Sequence, residues 1–297
     1  RVLPEAAEAA VHAMLEEFGN PSSLHRMGLE ASHLLEDSRK TVASALGCLP
    51  EEVYFTACGT ESTNISLHGA AHLNRHKKGR IIVTEIEHAA TINTAKQLAD
   101  SGFDVVFLAP DATGHITPEV LSEALTEDTV LLSCQLVNNE IGTVQPVEQL
   151  GKLLKAKAPK ALFHIDAVQG LCRVRLTPKK WNCDLMSVSG HKIGAPKGIG
   201  ALYVKKSLRL PPLTFGGGQE KGMRPGTEAV PNIAAFAKAC EIRMAHFDED
   251  YAHVQELADY LSVDRSALSA VLGALRREGL ISFQKNQFTL HRQEDLR

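Results

Sequence analysis

The first group in this sequence suited to covalent chemistry is a lysine that follows an apolar run and sits among small and hydroxylated neighbours. It is Lys192, in Ser187-Val-Ser189-Gly-His191-Lys192. An amine shielded from water and close to other positive charge has a lowered pKa and becomes a usable nucleophile. Asp166 closes a second apolar run, Ala161-Leu-Phe-His-Ile-Asp166-Ala-Val-Gln169-Gly. Burying that carboxylate is costly unless a cationic partner is present. A third run leads into Thr56-Ala-Cys-Gly59-Thr60-Glu-Ser-Thr-Asn and then a helical pattern. There, free N–H groups and the positive helix end suit an anion, and Gly59 and Thr60 are the residues to hold it. His88, in Thr84-Glu-Ile-Glu-His88-Ala-Ala, follows a fourth run. Singly, each has a plain structural reading as a satisfied ion, a surface charge or a small-residue turn. Together they are what pyridoxal phosphate requires: a lysine for its Schiff base, an aspartate to keep the pyridine nitrogen protonated, and a cradle for its phosphate. His88 is then placed to stack on the ring face.

These residues must be positioned by the elements they follow. Short β-branched runs predict strands over 52–56, 80–84, 104–108, 129–133, 161–165, 184–188 and 200–204. Helical patterns fall at 61–73, 89–101, 118–125 and 146–156, with two more helices at 4–18 and 25–46 before the sheet and a long one from 231 to about 261 after it. Strands apolar on both faces and joined by crossover helices imply an α/β fold, a mostly parallel sheet with helices on both faces. Ligands in such sheets gather at the carboxyl ends of the strands, where the candidate residues lie.

The 297 residues amount to about two domains by the usual prior of ~150 residues each. Hydrophobic residues at 44% and charged residues at 23% describe a globular chain. Lys plus Arg number 32 against 35 Asp plus Glu, so a net charge of −3 supplies no global field for nucleic acid or acidic lipid, and any DNA contact must be local. The apolar stretch at 129–137 falls short of the ~20 residues that span a bilayer, so no membrane role is expected. The N-terminus is acidic and helical in pattern, unlike an export signal, which makes a cytoplasmic location the expectation. Six cysteines, at 48, 58, 134, 172, 183 and 240, form no Cys-x-x-Cys pair. That argues against a metal site and against a disulfide framework.

The motifs Gly19-Asn-Pro-Ser-Ser, Thr56-Ala-Cys-Gly-Thr-Glu-Ser, Glu85-Ile-Glu-His-Ala-Ala, Val137-Asn-Asn-Glu-Ile-Gly-Thr-Val-Gln-Pro, His164-Ile-Asp-Ala-Val-Gln-Gly, Ser189-Gly-His-Lys and Pro196-Lys-Gly-Ile-Gly-Ala-Leu-Tyr stand in this order. Gly216-Gly-Gly-Gln-Glu and Arg224-Pro-Gly-Thr-Glu follow. From residue 2 to about 255 the sequence resembles cysteine desulfurases and selenocysteine lyases, of the class V aminotransferase branch of fold-type I pyridoxal-phosphate enzymes. The resemblance implies that Lys192 forms the Schiff base, Asp166 pairs with the pyridine nitrogen, Gln169 contacts the ring hydroxyl and His88 stacks on the ring. It implies Thr60, Ser189 and His191 at the phosphate, with Gly59 in the same cradle, and Thr227 at the phosphate of a neighbouring subunit. Asn139 would approach the substrate carboxylate and ring edge. The implied reaction, that of a lyase or sulfurtransferase, turns L-cysteine or a similar amino acid into alanine while a catalytic cysteine takes the sulfur as a persulfide. A homodimer, a sulfur-acceptor protein and a place in iron–sulfur cluster assembly are implied with it.

The pattern also breaks. The family's opening Asp-Asn-Ala-Ala-Thr-like strand, its Ser-x-Ala-Cys loop and a substrate-binding arginine after the long helix are absent from this sequence, and Ala229 replaces the usual Asn in Thr227-Glu-Ala229. The cofactor half of the site is written out, while the sulfur-accepting half is not. Cys58 and Cys134 are the substitutes nearest the candidate residues, and neither matches the family position.

Residues 256–297 differ in character from 1–255 and resemble the winged helix-turn-helix of cyclic-AMP-receptor-type regulators. In that reading Arg265, Ser266 and Ser269 face DNA bases, and 283–290 forms the wing. Arg276, Arg277 and Lys285 would meet phosphates. The plainer alternative is a helical hairpin with a basic face. No Gly/Ser/Pro linker marks the join, so either one continuous helix ties the two parts or the chain records a recombined reading frame. Two functions follow as expectations, a cysteine desulfurase-like enzyme and a transcription regulator with a cofactor-binding sensor, beside a third in which the fusion is inactive.

Overall fold

The computed structural model describes residues 1–252 and the strands at 281–284 and 287–290. In chain order the first part runs α1 (Pro4–Leu15), α2 (Arg26–Leu46), β1 (Val53–Thr56), α3 (Gly59–Leu73), β2 (Arg80–Thr84), α4 (Ala89–Asp100), β3 (Asp104–Leu108), α5 (Pro118–Ala124), β4 (Thr129–Gln135), α6 (Val147–Lys157), β5 (Leu162–Asp166), β6 (Leu185–Ser189), β7 (Gly200–Val204) and α7 (Val230–Ala245). All seven strands expected from the apolar runs are present. They form one sheet in the order β1-β7-β6-β5-β4-β2-β3. The core strands β2 to β6 pair in parallel, while β7 lies antiparallel between β1 and β6. The sheet is therefore mostly parallel and covered on both faces, as the runs imply.

Period-two alternation sorts each strand between two cores. Ile82, Leu132, Phe163, Ile165, Met186 and Val188 join the large core under α2, α6 and α7. Ile81, Val83 and Leu131 point the other way, onto Leu67 of α3 and Leu98 of α4. On that second face the strands turn polar towards their carboxyl ends. Ser133, His164 and Ser187 form one buried row, and Gln135, Asp166 and Ser189 lie two residues further on. One face of one sheet thus supplies an apolar base, a polar layer and a row of functional groups.

The long helix expected from 231 to about 261 is interrupted. α7 ends at Ala245, and His246 leaves the helical conformation at φ −101° and ψ 9° before the chain coils again over 247–252. The break has a tertiary cause. It buries Phe247, sets it under the Arg175 guanidinium at 4.8 Å, and brings Asp248 within 2.5 Å of Arg175. α1 stops three residues earlier than expected, and α3 begins two residues earlier, at Gly59. Of residues 256–297, the strands β8 (Ile281–Gln284) and β9 (Gln287–Leu290) are described and pair antiparallel. Arg265, Ser266, Ser269, Arg276, Arg277 and Lys285 lie outside the described residues.

A buried ion pair fixes the loop that leads into α7. Glu220 and Lys221 both adopt left-handed backbone, with φ of 45° and 57°. Such positions cost about 1–3 kcal/mol each unless the surroundings enforce them. Here Arg39 of α2 grips Glu220 with two nitrogens, at 2.9 and 2.8 Å, and the Phe55 N–H donates to the same carboxylate at 2.9 Å. Removing one partner of a buried pair strands the other charge, at about 3–5 kcal/mol. Glu220→Ala is therefore expected to lower the unfolding free energy by about 3 kcal/mol or more. Denaturant titration measures it, and the Arg39→Ala/Glu220→Ala double variant should lose less than the sum of the two single losses.

Candidate active site

Nine of the ten expected cofactor-site residues converge on one cavity of about 280 Å³: Gly59, Thr60, His88, Asn139, Asp166, Gln169, Ser189, His191 and Lys192. They follow the ends of β2, β4, β5 and β6, which are neighbours in the sheet, and of β1, which β7 separates from β6. Thr227 is the exception. It is exposed and does not line the cavity.

The anion cradle is built from an uncapped helix start. Cys58 occupies the N-cap of α3 with no side-chain cap, so the first N–H groups of the helix, at Gly59 and Thr60, have no capping acceptor. Close packing holds them in place. A Cβ at Gly59 would meet Val168 Cγ2 at 2.7 Å, and one at Gly200 would lie 2.7 Å from the Val188 carbonyl oxygen and 2.8 Å from the Cys58 carbonyl carbon. Gly200 is the register partner of both Thr56 and Ser189, which lets the cradle approach Ser189 across β7. Ser189 Oγ in turn sits 2.8 Å from His191 Nδ1. Arg224 braces the helix start through Glu61 at 3.1 Å, and Glu61 also accepts the Ala57 N–H.

Asp166 occupies the floor. Its Oδ1 accepts the Val168 N–H at 2.9 Å, and no ion pair satisfies it among the described residues. Burial pushes the carboxyl up, while the Val168 hydrogen bond, His88 and Lys192 act to lower it. It is a carboxylate prepared for a cationic partner. His88 caps α4, its Nδ1 accepting the Ala90 N–H at 3.1 Å, so the neutral ring carries its proton on Nε2. Gln169 Oε1 is held by Arg173 Nη1 at 3.1 Å, which leaves the amide Nε2 as the donor to offer, and Arg173 Nη2 also binds the Lys192 carbonyl at 2.9 Å. Arg173 thus ties the loop after β5 to the loop after β6.

Sequence reasoning passed over Arg173, and also Thr63 and Gln135, which line the cavity. Thr63 falls one helical turn beyond Gly59 and Thr60, and Gln135 ends β4, so both obey the rules that found the others. Cys58 lines the wall, whereas Cys134 is fully buried beside Glu87 and its thiol is pushed well up by desolvation. Cys134 is thereby removed as a nucleophile.

The family model described as aminotransferase class-V matches residues 1–296. The chain belongs to that family. It is 43% identical over 260 residues to the cysteine desulfurase IscS of Methanosarcina thermophila, covering 88% of this chain and 64% of that protein. A solved NifS-like protein superposes with a TM-score of 0.85 at 40% identity, over 88% of this chain and 72% of the other. A structure described as SspA in complex with cysteine gives 0.78 at 38% identity, over 81% and 69%. The fold is that of fold-type I class-V aminotransferases. Their cofactor is pyridoxal phosphate, and the donor set fits it: an amine, a buried acid lacking a cation, an open helix start and an imidazole meet in one cavity.

Beneath the cavity, His164 bridges Ser133 Oγ and Ser187 Oγ, each at 2.8 Å, and Thr63 Oγ1 reaches Ser187 at 3.4 Å. Burial pushes the His164 imidazole down to about 3. Unfolded histidine protonates near pH 6.5. The stability His164 contributes is thus complete above that pH and is lost as pH falls towards its folded value. Wild-type Tm is expected to fall more steeply between pH 6.5 and 4 than that of His164→Gln, which does not titrate; parallel Tm–pH curves would contradict a neutral buried His164.

Proposed function

We propose that the chain acts as a pyridoxal-phosphate-dependent cysteine desulfurase, converting L-cysteine and an acceptor thiol into alanine and a persulfide. The observation that carries this reading is the meeting of Lys192, Asp166, His88 and the α3 cradle in a single cavity. The named relatives support the choice of substrate. The chain spans 64% of the length of the first of them, so the reaction, its substrate and its partners stand here as proposals.

When bound, the cofactor supplies an aldehyde for amines and a ring that absorbs the charge left at a substrate α-carbon. The protein's part is electrostatic and positional. Gly59 and Thr60 N–H groups, with Ser189 and His191, would hold the phosphate. Asp166 would keep a proton on the ring nitrogen, and the amide of Gln169 would donate to the ring oxygen. Lys192 carries the cavity's amine, would hold the cofactor and would move the substrate α-proton at Nζ. His88 would cover the ring and present Nε2–H, while Asn139 would orient the substrate carboxylate. The sulfur passes to a thiol of an acceptor protein, with iron–sulfur cluster assembly as its use. Thr227, exposed and off the cavity, is available to a second subunit of a homodimer.

Purified protein mixed with pyridoxal phosphate is expected to show the absorption of a lysine-bound cofactor, lost in Lys192→Ala. With cysteine and a thiol acceptor it should form alanine and persulfide in equal amounts, falling by on the order of 10²–10⁴ in that variant. Alanine without persulfide would reject the desulfurase reading.

A second reading, DNA binding through 256–297, rests on the sequence resemblance alone, and the comparisons lend it no support. It requires salt-dependent duplex binding that weakens in Arg276→Ala/Arg277→Ala. Retention unchanged in that variant would end it.

A further inference from the structure

Glu87 stands between β2 and His88 and turns away from the cavity into the protein. It is buried at 8% exposure. Its Oε1 accepts the Thr84 hydroxyl at 2.8 Å and the Gln135 N–H at 2.6 Å. Oε2 is buried without a partner, as is Thr91 Oγ1. Among the described residues no cation acts on this carboxyl. A desolvated carboxylate with an unpaired oxygen and no counter-charge is strongly disfavoured relative to the neutral acid.

Its position gives that neutrality a consequence. Gln135, whose N–H binds Glu87, is the register partner of Asp166 on β5. Two acids therefore share one water-poor region, and like charges there do not both form readily. We propose that Glu87 is a positioning residue that holds a proton behind the site, so that Asp166 carries the pocket's single negative charge.

The proton accounts for both unpartnered atoms. Protonated on Oε2, Glu87 offers a donor to Thr91 Oγ1, a group with which it already interacts. Thr91 is in the first turn of α4 and donates its N–H to the His88 carbonyl at 2.9 Å. One neutral acid thereby links the turn that presents His88 to the strand end that presents Asp166. The assigned service to Asp166 rests on the cofactor reading above; the protonation of Glu87 does not.

Burial, then the Asp166 charge, push the Glu87 carboxyl up to about 8, against its bonds to Thr84 and Gln135 and the polarity of the nearby Thr91 hydroxyl. The titratable groups facing it are Asp166 from β5 and Cys134 from β4, while His88 and Lys192 act on Asp166. An unfolded glutamate ionises near pH 4.3. The stability linked to this group is thus full below that pH and is lost as pH rises towards 8.

Glu87→Gln preserves the shape, the acceptor for Thr84 and Gln135, and a donor for Thr91, but cannot titrate. Cofactor-free full-length protein at pH 7 is expected to show the infrared carbonyl stretch of a protonated carboxyl that is missing from Glu87→Gln. The Tm of Glu87→Gln should gain on wild type as pH rises from 5 to 8. A carboxylate signal for Glu87 at pH 7, or a Tm difference that does not grow, overturns the proposal. If the variant does not fold, wild type labelled with ¹³C-carboxyl glutamate gives the same answer from its pH titration. Pyridoxal phosphate forms the second arm: Glu87→Gln should retain the lysine-bound absorption that Lys192→Ala loses. Should wild type bind no cofactor while the infrared signal holds, the cofactor reading fails and Glu87 remains a proton-holding acid without that service.

Discussion

A carboxylate at the end of a buried strand, with no cation beside it, is the constraint from which the rest of the site follows. Asp166 cannot simply be exposed to water, because β5 lies in the middle of a seven-stranded sheet with helices on both faces. The structure answers with one backbone donor from Val168 and the more distant influence of Lys192 and His88. Those moderate the cost of ionisation without forming a closed ion pair. A site in that condition gains most from a ligand that brings its own proton-bearing nitrogen.

The layering beneath Asp166 serves the same end. Strand alternation places His164 on the same face, two residues earlier, where Ser133 and Ser187 occupy both ring nitrogens. A charged imidazole there would compete for the negative charge of Asp166. Burial keeps it neutral, so the layer supports the floor without neutralising it. Main-chain register does the alignment: Gln135 pairs with Asp166, and Asp166 with Ser187.

Much of this was legible in the sequence because it depends on local rules. Each apolar run became a strand, and residues just beyond strand ends met at one edge, so Lys192, Asp166, His88 and the Gly59-Thr60 turn were found by position and chemistry alone. What depends on distant partners was not legible. The break at His246 accompanies contacts to Arg175, far earlier in the chain, and the left-handed backbone of Glu220 is held by Arg39 on α2. Arg173 carries no signal in the sequence, yet its guanidinium spans from Gln169 to the Lys192 carbonyl. Thr227, expected at a phosphate, lies exposed and off the cavity.

Two helices begin at this edge of the sheet, and their starts differ in a way that separates their tasks. α4 is closed by the imidazole of His88, which accepts the Ala90 N–H and so has its tautomer and orientation fixed by the helix it caps. α3 has no such cap, and the first N–H groups of its opening turn face the cavity rather than a side chain. A side-chain oxygen at the α3 N-cap would satisfy those donors and stabilise the helix by about 1 kcal/mol. It would also place an acceptor inside the proposed anion cradle. The sequence has Cys58 there, a weak acceptor that leaves the dipole and the donors free for the phosphate proposed to sit there. On that proposal, the stability forgone at α3 is the same interaction that a bound anion would restore, which would couple the folding of this corner of the protein to occupancy of the site.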